Sequence, residues 1–246
     1  MTTIDQGYGI VTTDDVRWTD ANRVPMTDTL GCTHTSVDGF RTETGSVISL
    51  PRDLERVCVP VDADGTVDTN TGPWGVPRYG IVHVPAGLNA DLSSEERTRW
   101  ICVGATPTID GVPDPRGDGE ATPTVVKFDA LSFRMPSTSD VPIARLTTEL
   151  DCTGMKVNCR HLIPGSAVPY HTEGTQEELF VPMDGPGTLR VAGERYELPA
   201  GSVARVAPET PRSAVNDGDD DRTWFMIGAP PTGGPDEWDP GAEILE

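Results

Sequence analysis

The sequence predicts an all-β protein assembled from two copies of one unit, and two observations carry that reading. The 246 residues include 26 glycines and 23 prolines, a density of turn formers that suits short strands joined by loops. An internal repeat also runs through the chain. Glu55-Arg-Val-Cys-Val-Pro-Val-Asp-Ala-Asp-Gly-Thr-Val aligns without a gap on Glu177-Glu-Leu-Phe-Val-Pro-Met-Asp-Gly-Pro-Gly-Thr-Leu. Arg99-Trp-Ile-Cys-Val-Gly-Ala aligns on Thr223-Trp-Phe-Met-Ile-Gly-Ala, and between them Tyr79-Gly-Ile-Val-His-Val lies against Gly201-Ser-Val-Ala-Arg-Val. Several matches in one order at similar spacing mean a duplicated unit.

Taken in order, the first 30 residues lack periodicity and read as an arm, with Trp18 packing it onto the body of the protein. Gly31 to Leu50 holds short Thr/Val-rich runs typical of strands. The repeat then sets the units: an arm over 1–24, a first unit over 25–112, a Gly/Pro/Asp-rich linker over 113–124, a second unit over 125–235, and an acidic surface tail over 236–246 docked by Trp238.

The chemistry concentrates between Pro164 and Gly187. A Pro-Gly turn leads into an extended run where His171 and Glu173, two apart, share a face. A Gly-Thr break comes next, then Glu177, Glu178 and the β-prone Leu179-Phe180-Val181. This stretch resembles the first signature of the cupin superfamily: glycine, five residues, His-x-His, a glutamate, six residues, glycine. Gly165, His171, Glu178 and Gly185 fit it, and Glu173 stands where the family has its second histidine. The second signature is matched by Gly193, Pro199 and Gly201, with Arg212 in place of its histidine and Asn216 four residues on. The resemblance implies two jelly-roll (double-stranded β-helix) cupin barrels in tandem. In that family three histidines and a glutamate usually hold Fe, Mn, Ni, Co, Zn or Cu. Carried to the first unit, the four positions fall on Ser49, Pro51, Arg56 and the neighbourhood of Ala90, so the resemblance implies a first barrel without metal ligands and with a structural role. The order Glu-x-His-x-x-x-His of ureidoglycine aminohydrolases is not met, because its positions read Thr172, Gly174 and Glu178. The chain is more similar to small cupins that combine Gln176-Glu177-Glu178, Arg212 and Gly228-Ala229-Pro230, a likeness that implies no reaction.

Two readings of the site stay open. His171, Glu173 and Glu178 suit a divalent ion such as Mn, Fe, Ni or Zn. Arg212 cannot be a ligand, since its guanidinium stays protonated, and it can instead pair with Glu178 or Glu173 and leave the site free of metal. The first expectation is therefore a barrel that binds a small anionic molecule through His171, Glu173, Glu178 and Arg212, with Phe180 as an apolar wall and no cofactor. The alternative is a metal-dependent dioxygenase, isomerase or lyase acting on a small polar metabolite. Contact between Arg212 and a carboxylate favours the first.

Composition sets the outer bounds. Asp and Glu number 39 against 19 basic residues, a formal charge of -20. Such a surface repels nucleic acid and anionic membranes, and with only Lys127 and Lys156 as lysines it resembles salt-adapted proteins, whose self-repulsion concentrated salt screens. No stretch is long and apolar enough to span a membrane, and the N-terminus lacks the pattern of a signal peptide, so a cytoplasmic location is expected; a homodimer is the family expectation. Cys32, Cys58, Cys102, Cys152 and Cys159 form no C-x-x-C and read as reduced thiols. His34, His83 and His161 read as surface or hydrogen-bonded histidines rather than ligands. P-loop, dinucleotide, nucleophile-elbow and zincin motifs are absent.

Overall fold

A computed structural model describes residues 2–3, 7–13, 15–16, 22–109, 112–113, 121–232 and 241–245. Trp18, Trp238 and most of the expected linker lie outside them. Among the described residues the architecture is all-β but for one short α-helix, Thr27–Leu30, and a 3-10 turn at Phe128–Ala130.

Each half is a pair of antiparallel sheets. In the second half the larger sheet runs, in spatial order, Thr2–Thr3, Tyr8–Val11, Val203–Val206, Glu177–Pro182, Arg222–Ala229, Lys156–Leu162 and Ile143–Arg145. The smaller runs Glu194–Leu198, Gly187–Val191, Arg212–Val215, His171–Thr172 and Glu243–Ile244. The first half repeats the plan, with Thr124–Val126, Ile81–Val84, Glu55–Pro60, Thr98–Ala105, Thr35–Thr42 and Arg23–Pro25 in the larger sheet and Ile48–Ser49, Ala90–Ser93, Gly65–Thr69 and Gly72–Val76 in the smaller.

Strand alternation sorts the side chains between three cores. Cys58, Val82, Trp100 and Cys102 fill the first barrel, and Phe180, Leu189, Ala204, Trp224 and Met226 fill the second. The opposite faces of the two larger sheets, with Val57, Val59, Ile81 and Val103 on one and Val157, Leu179, Val181 and Phe225 on the other, pack together into one apolar seam. The Gly-Thr of the repeat has a steric cause: a Cβ on Gly65 would sit 2.0 Å from Trp100, and one on Gly187 2.3 Å from Trp224. Each barrel needs the missing side chain to seat its tryptophan.

The strands that lead into the two halves are exchanged. Tyr8–Val11 precedes the first barrel but pairs with Val203–Val206 of the second, whereas Thr124–Val126 precedes the second and pairs with Ile81–Val84 of the first. The sheets therefore do not divide at residue 125. In the tail, the exposed pair Glu243–Ile244 adds an edge strand beside His171–Thr172.

A second pair of equivalents locks the seam. The loop after Leu30 runs Gly31-Cys32-Thr33-His34, and the loop after Leu150 runs Asp151-Cys152-Thr153-Gly154. Thr27 and Thr147 hydroxyls each accept from a strand N–H, of Val37 and Val157, at 2.9 Å. Each loop then delivers its N–H groups to a buried glutamate of the other half. Thr33, His34 and Thr35 donate to Glu177 at 2.8–2.9 Å, and Thr153 and Gly154 donate to Glu55 at 3.1 and 2.6 Å.

Candidate functional site

The first cluster sits within the second barrel. His171 pairs with Arg212 on the neighbouring strand, which brings the two signature positions together. His171 Nδ1 lies 2.7 Å from the carbonyl oxygen of Pro169. A carbonyl only accepts, so Nδ1 carries the proton and donates. Nε2 then faces the carboxylates, 3.4 Å from Glu173 Oε1 and 3.9 Å from Glu178 Oε2. His171 and Glu173 are buried and Glu178 is half-buried. One atom of each lies within 4.8 Å of the others, a spacing that can hold a metal ion.

Arg212 is fully buried. Its Nε donates to Glu178 Oε2 at 3.2 Å, its Nη1 to the carbonyl of Thr210 at 3.0 Å and, more loosely, Ala207, and its Nη2 to that of Gln176 at 3.4 Å. It is an anchored counter-charge at the position of the family's fourth ligand, and the expected pairing with a carboxylate is present. Phe180 is fully buried, edge-on to Trp224 with ring centroids 6.4 Å apart. It belongs to the barrel's apolar core.

Three further residues share this face, and sequence reasoning misses them. In Lys156-Val-Asn-Cys-Arg-His-Leu the apolar Val157 and Cys159 enter the seam, so Lys156, Asn158 and Arg160 turn toward the barrel with Leu162. The register agrees: Lys156 lies opposite Gly228, which lies opposite Glu178, and Asn158 lies opposite Met226, which lies opposite Phe180. Gly228 places no side chain between Lys156 and Glu178; a Cβ there would come 2.8 Å from Gln176 Oε1. Arg160 is buried and its Nη1 donates to the carbonyl of Val141 at 3.1 Å. Burial pushes its pKa down to about 10, Glu178 and Glu173 work against that shift, and Arg145 adds to it. Asn158 Oδ1 and Glu173 Oε2 are buried acceptors with no hydrogen-bond donor among the described residues. The alternation of polar residues across Lys156, Asn158 and Arg160 is the signal that could have found them.

In the first barrel Arg56 stands at the position of Glu178. It is buried, with Nε donating to the carbonyl of Pro51 at 2.9 Å. A second cluster lies outside the barrel interiors. Glu55, His83 and Cys152 bring one ligand-type atom each within 4.8 Å of the others at the seam. His83, expected at the surface or hydrogen-bonded, is instead buried with no hydrogen bond to either ring nitrogen among the described residues; Ile81-Val-His-Val turns its odd positions into the seam. His161 behaves as expected, half-buried with Nε2 3.3 Å from Asp221. All five cysteines are unbridged.

Residues 160–228 match the cupin domain family. No curated protein sequence matches the chain. Among solved structures, the fold is similar to that of a putative glyoxylate-induced protein from Pseudomonas aeruginosa, with TM-score 0.73 and 13% identity over 93% of this chain and 90% of that one. It is also similar to AerE from Microcystis aeruginosa, with TM-score 0.63 and 11% identity over 81% and 90% of the two chains. Bacillus subtilis oxalate decarboxylase, a protein with Mn(II) centres, gives TM-score 0.64 and 12% identity over 91% of this chain and 74% of that one. At such identities the likeness is one of fold. Among the described residues no helix is long and apolar enough to cross a membrane.

Proposed function

We propose, from the premise that this chain is a two-barrel cupin protein with its cupin domain at residues 160–228, that the second barrel binds a small polar molecule carrying an anionic group, with Arg212 standing where a metal's fourth ligand would be. The observation that carries this reading is the contact of Arg212 Nε with Glu178 Oε2 at 3.2 Å. It ties up one of the three ligand-type carboxylate and imidazole groups and sets a fixed positive charge against any incoming cation. The neighbouring cations Lys156 and Arg160 supply the attraction for an anion, and Arg160, whose one hydrogen-bond acceptor among the described residues is the carbonyl of Val141, keeps N–H groups for a bidentate grip on a carboxylate. The orphaned oxygens of Asn158 and Glu173 call for donors, so a hydroxyl-bearing acid satisfies both halves of the site.

A second reading has its own support. His171 fixes Nδ1–H on a backbone carbonyl and turns Nε2 toward two carboxylates, the arrangement of a metal-ligating imidazole held by its outer partner. His171, Glu173 and Glu178 would then hold a Mn, Fe, Ni or Zn ion, which would act as a Lewis acid, and Arg212 would orient the anionic substrate.

A thermal-shift screen of small hydroxy- and oxo-acids on protein purified in high salt, with its metal content measured, separates these. The anion-binding reading expects stabilisation by a hydroxy acid in metal-free protein, of about 2.7 kcal/mol at a hundredfold excess over Kd, and its loss in Arg160→Gln. Stabilisation that appears only with a transition metal and vanishes in His171→Ala transfers the site to the metal reading. No shift with any acid, with or without metal, overturns both.

A further inference from the structure

The two halves are built alike, and where they differ the first half has kept something open. In the second half Glu177 is closed off by Arg205, whose Nε and Nη2 donate to Oε2 at 3.1 and 2.9 Å. The equivalent pair in the first half is Glu55 and His83, on strands matched by the repeat. The imidazole is shorter than the guanidinium and leaves a cavity of about 240 Å³ bordered by Glu55, His83, Pro85, Thr124, Asp151 and Thr153. His83 lies 3% exposed against this cavity with no hydrogen bond to Nδ1 or Nε2 among the described residues. Its Nε2 is 3.5 Å from Glu55 Oε2, longer than a well-formed hydrogen bond. A buried imidazole whose Nδ1 has no partner among the described residues and whose Nε2 has only this long contact with a carboxylate costs free energy unless something else completes its bonding.

The third member comes from the other half. Cys152 is half-buried beside the same glutamate, and its Sγ, one Glu55 oxygen and one His83 nitrogen all fall within 4.8 Å of one another. Glu55 is already oriented by the N–H groups of Thr153 and Gly154 and the hydroxyl of Thr153, as outer partners orient a metal-bound carboxylate.

We propose that Glu55, His83 and Cys152 form a binding site for a borderline divalent cation of the zinc class at the seam between the barrels, distinct from the cluster in the second barrel. Nitrogen, oxygen and thiolate donors select zinc and cobalt over magnesium and calcium. On binding, the Cys152 thiol gives up its proton to solvent, and the thiolate and carboxylate together balance the ion's charge. The fourth position opens on the cavity. Because Glu55 and His83 come from the first half and Cys152 from the second, the ion clamps the two barrels together.

The probe is Co2+ alone, added to the full chain after chelator treatment. Thiolate-to-cobalt charge-transfer absorption is expected in the wild type, lost in Cys152→Ser and in His83→Arg, and retained in Cys32→Ser and His171→Ala. His83→Arg installs the pairing that the second half already uses, so its fold is preserved while its metal site is closed. Absence of the charge-transfer band in the wild type overturns the proposal, and so does a band that survives Cys152→Ser or His83→Arg.

Discussion

Glu177 Oε1 accepts both the backbone N–H and the hydroxyl of Thr35, each at 2.8 Å, although the two residues belong to different barrels. With Thr33 and Arg205 on its other oxygen, the carboxylate is fully buried and every lone pair is engaged. Glu177→Ala leaves Arg205 as an unpaired buried charge and strips several N–H groups of their acceptor. Urea denaturation is expected to show a loss of about 3–5 kcal/mol; a loss below about 1 kcal/mol would mean the seam is held by its apolar faces alone.

The same latch predicts how stability responds to acid. Burial alone would raise the pKa of Glu177, but the N–H groups of Thr33 and His34, the Thr35 hydroxyl and Arg205 outweigh it and hold it below its ordinary 4.5. For Glu55, burial is likewise outweighed, by His83 and the N–H groups of Gly154 and Thr153. In both cases the unfolded chain binds the proton more readily. The stabilisation is complete above pH 4.5 and falls as pH drops through the lowered folded-state values. Denaturation midpoints measured from pH 7 down to 3 should fall steeply below 4.5, and less steeply in Glu177→Gln. Equal slopes in the two proteins would remove Glu177 from the account.

Arg212→His tests what keeps a cation out of the second barrel. The change removes the counter-charge on Glu178 and supplies a second imidazole beside His171, giving the donor types that suit Mn, Fe, Ni or Zn. Affinity for Ni2+ or Mn2+, followed by isothermal calorimetry, is expected to rise at least about tenfold over wild type, a gain of about 1.4 kcal/mol. Unchanged affinity would show that Arg212 does not decide occupancy.

Removing the first eleven residues takes Tyr8, Ile10 and Val11 out of the second barrel's sheet, and with them the Tyr8–Tyr196 hydroxyl contact at 2.6 Å. Each buried apolar side chain lost costs about 1.5–3 kcal/mol, and Val203–Val206 becomes an open edge. Light scattering should report aggregation of the truncated protein, suppressed by a peptide of residues 1–16. A soluble truncated form with the wild-type melting temperature would refute the importance of the exchanged strand.

The formal charge of -20 makes a further demand. If self-repulsion is substantial, concentrated KCl should raise the melting temperature by screening it. A melting temperature flat from low to multimolar salt would remove salt adaptation from the description.

The sequence is legible where residues two apart share a face and where the repeat offers a second copy for comparison. His171, Glu173, Glu178 and Arg212 converge because a strand's alternation and the cupin spacing both place them. The repeat also exposes the all-β plan. Arg160 escapes sequence reading because the facing of its run is fixed only once Val157 and Cys159 are known to enter the seam. The pairing of Tyr8–Val11 with Val203–Val206 is hidden for a different reason: a strand of only four residues has too little periodicity to register, and its partner lies almost the whole chain away. His83 looks ordinary because nothing local distinguishes a histidine that faces an arginine-sized gap from one that faces water.

The exchanged leading strands also set the order in which the protein can be completed. Tyr8–Val11 is made long before its partner, Val203–Val206. At about 5–20 residues per second, that strand waits on the order of 10–40 s for its neighbour to emerge from the ribosome. The first barrel, in turn, lacks an edge until Thr124–Val126 has been made. Neither barrel's larger sheet is therefore complete from its own stretch of chain: each takes one strand that is made with the other.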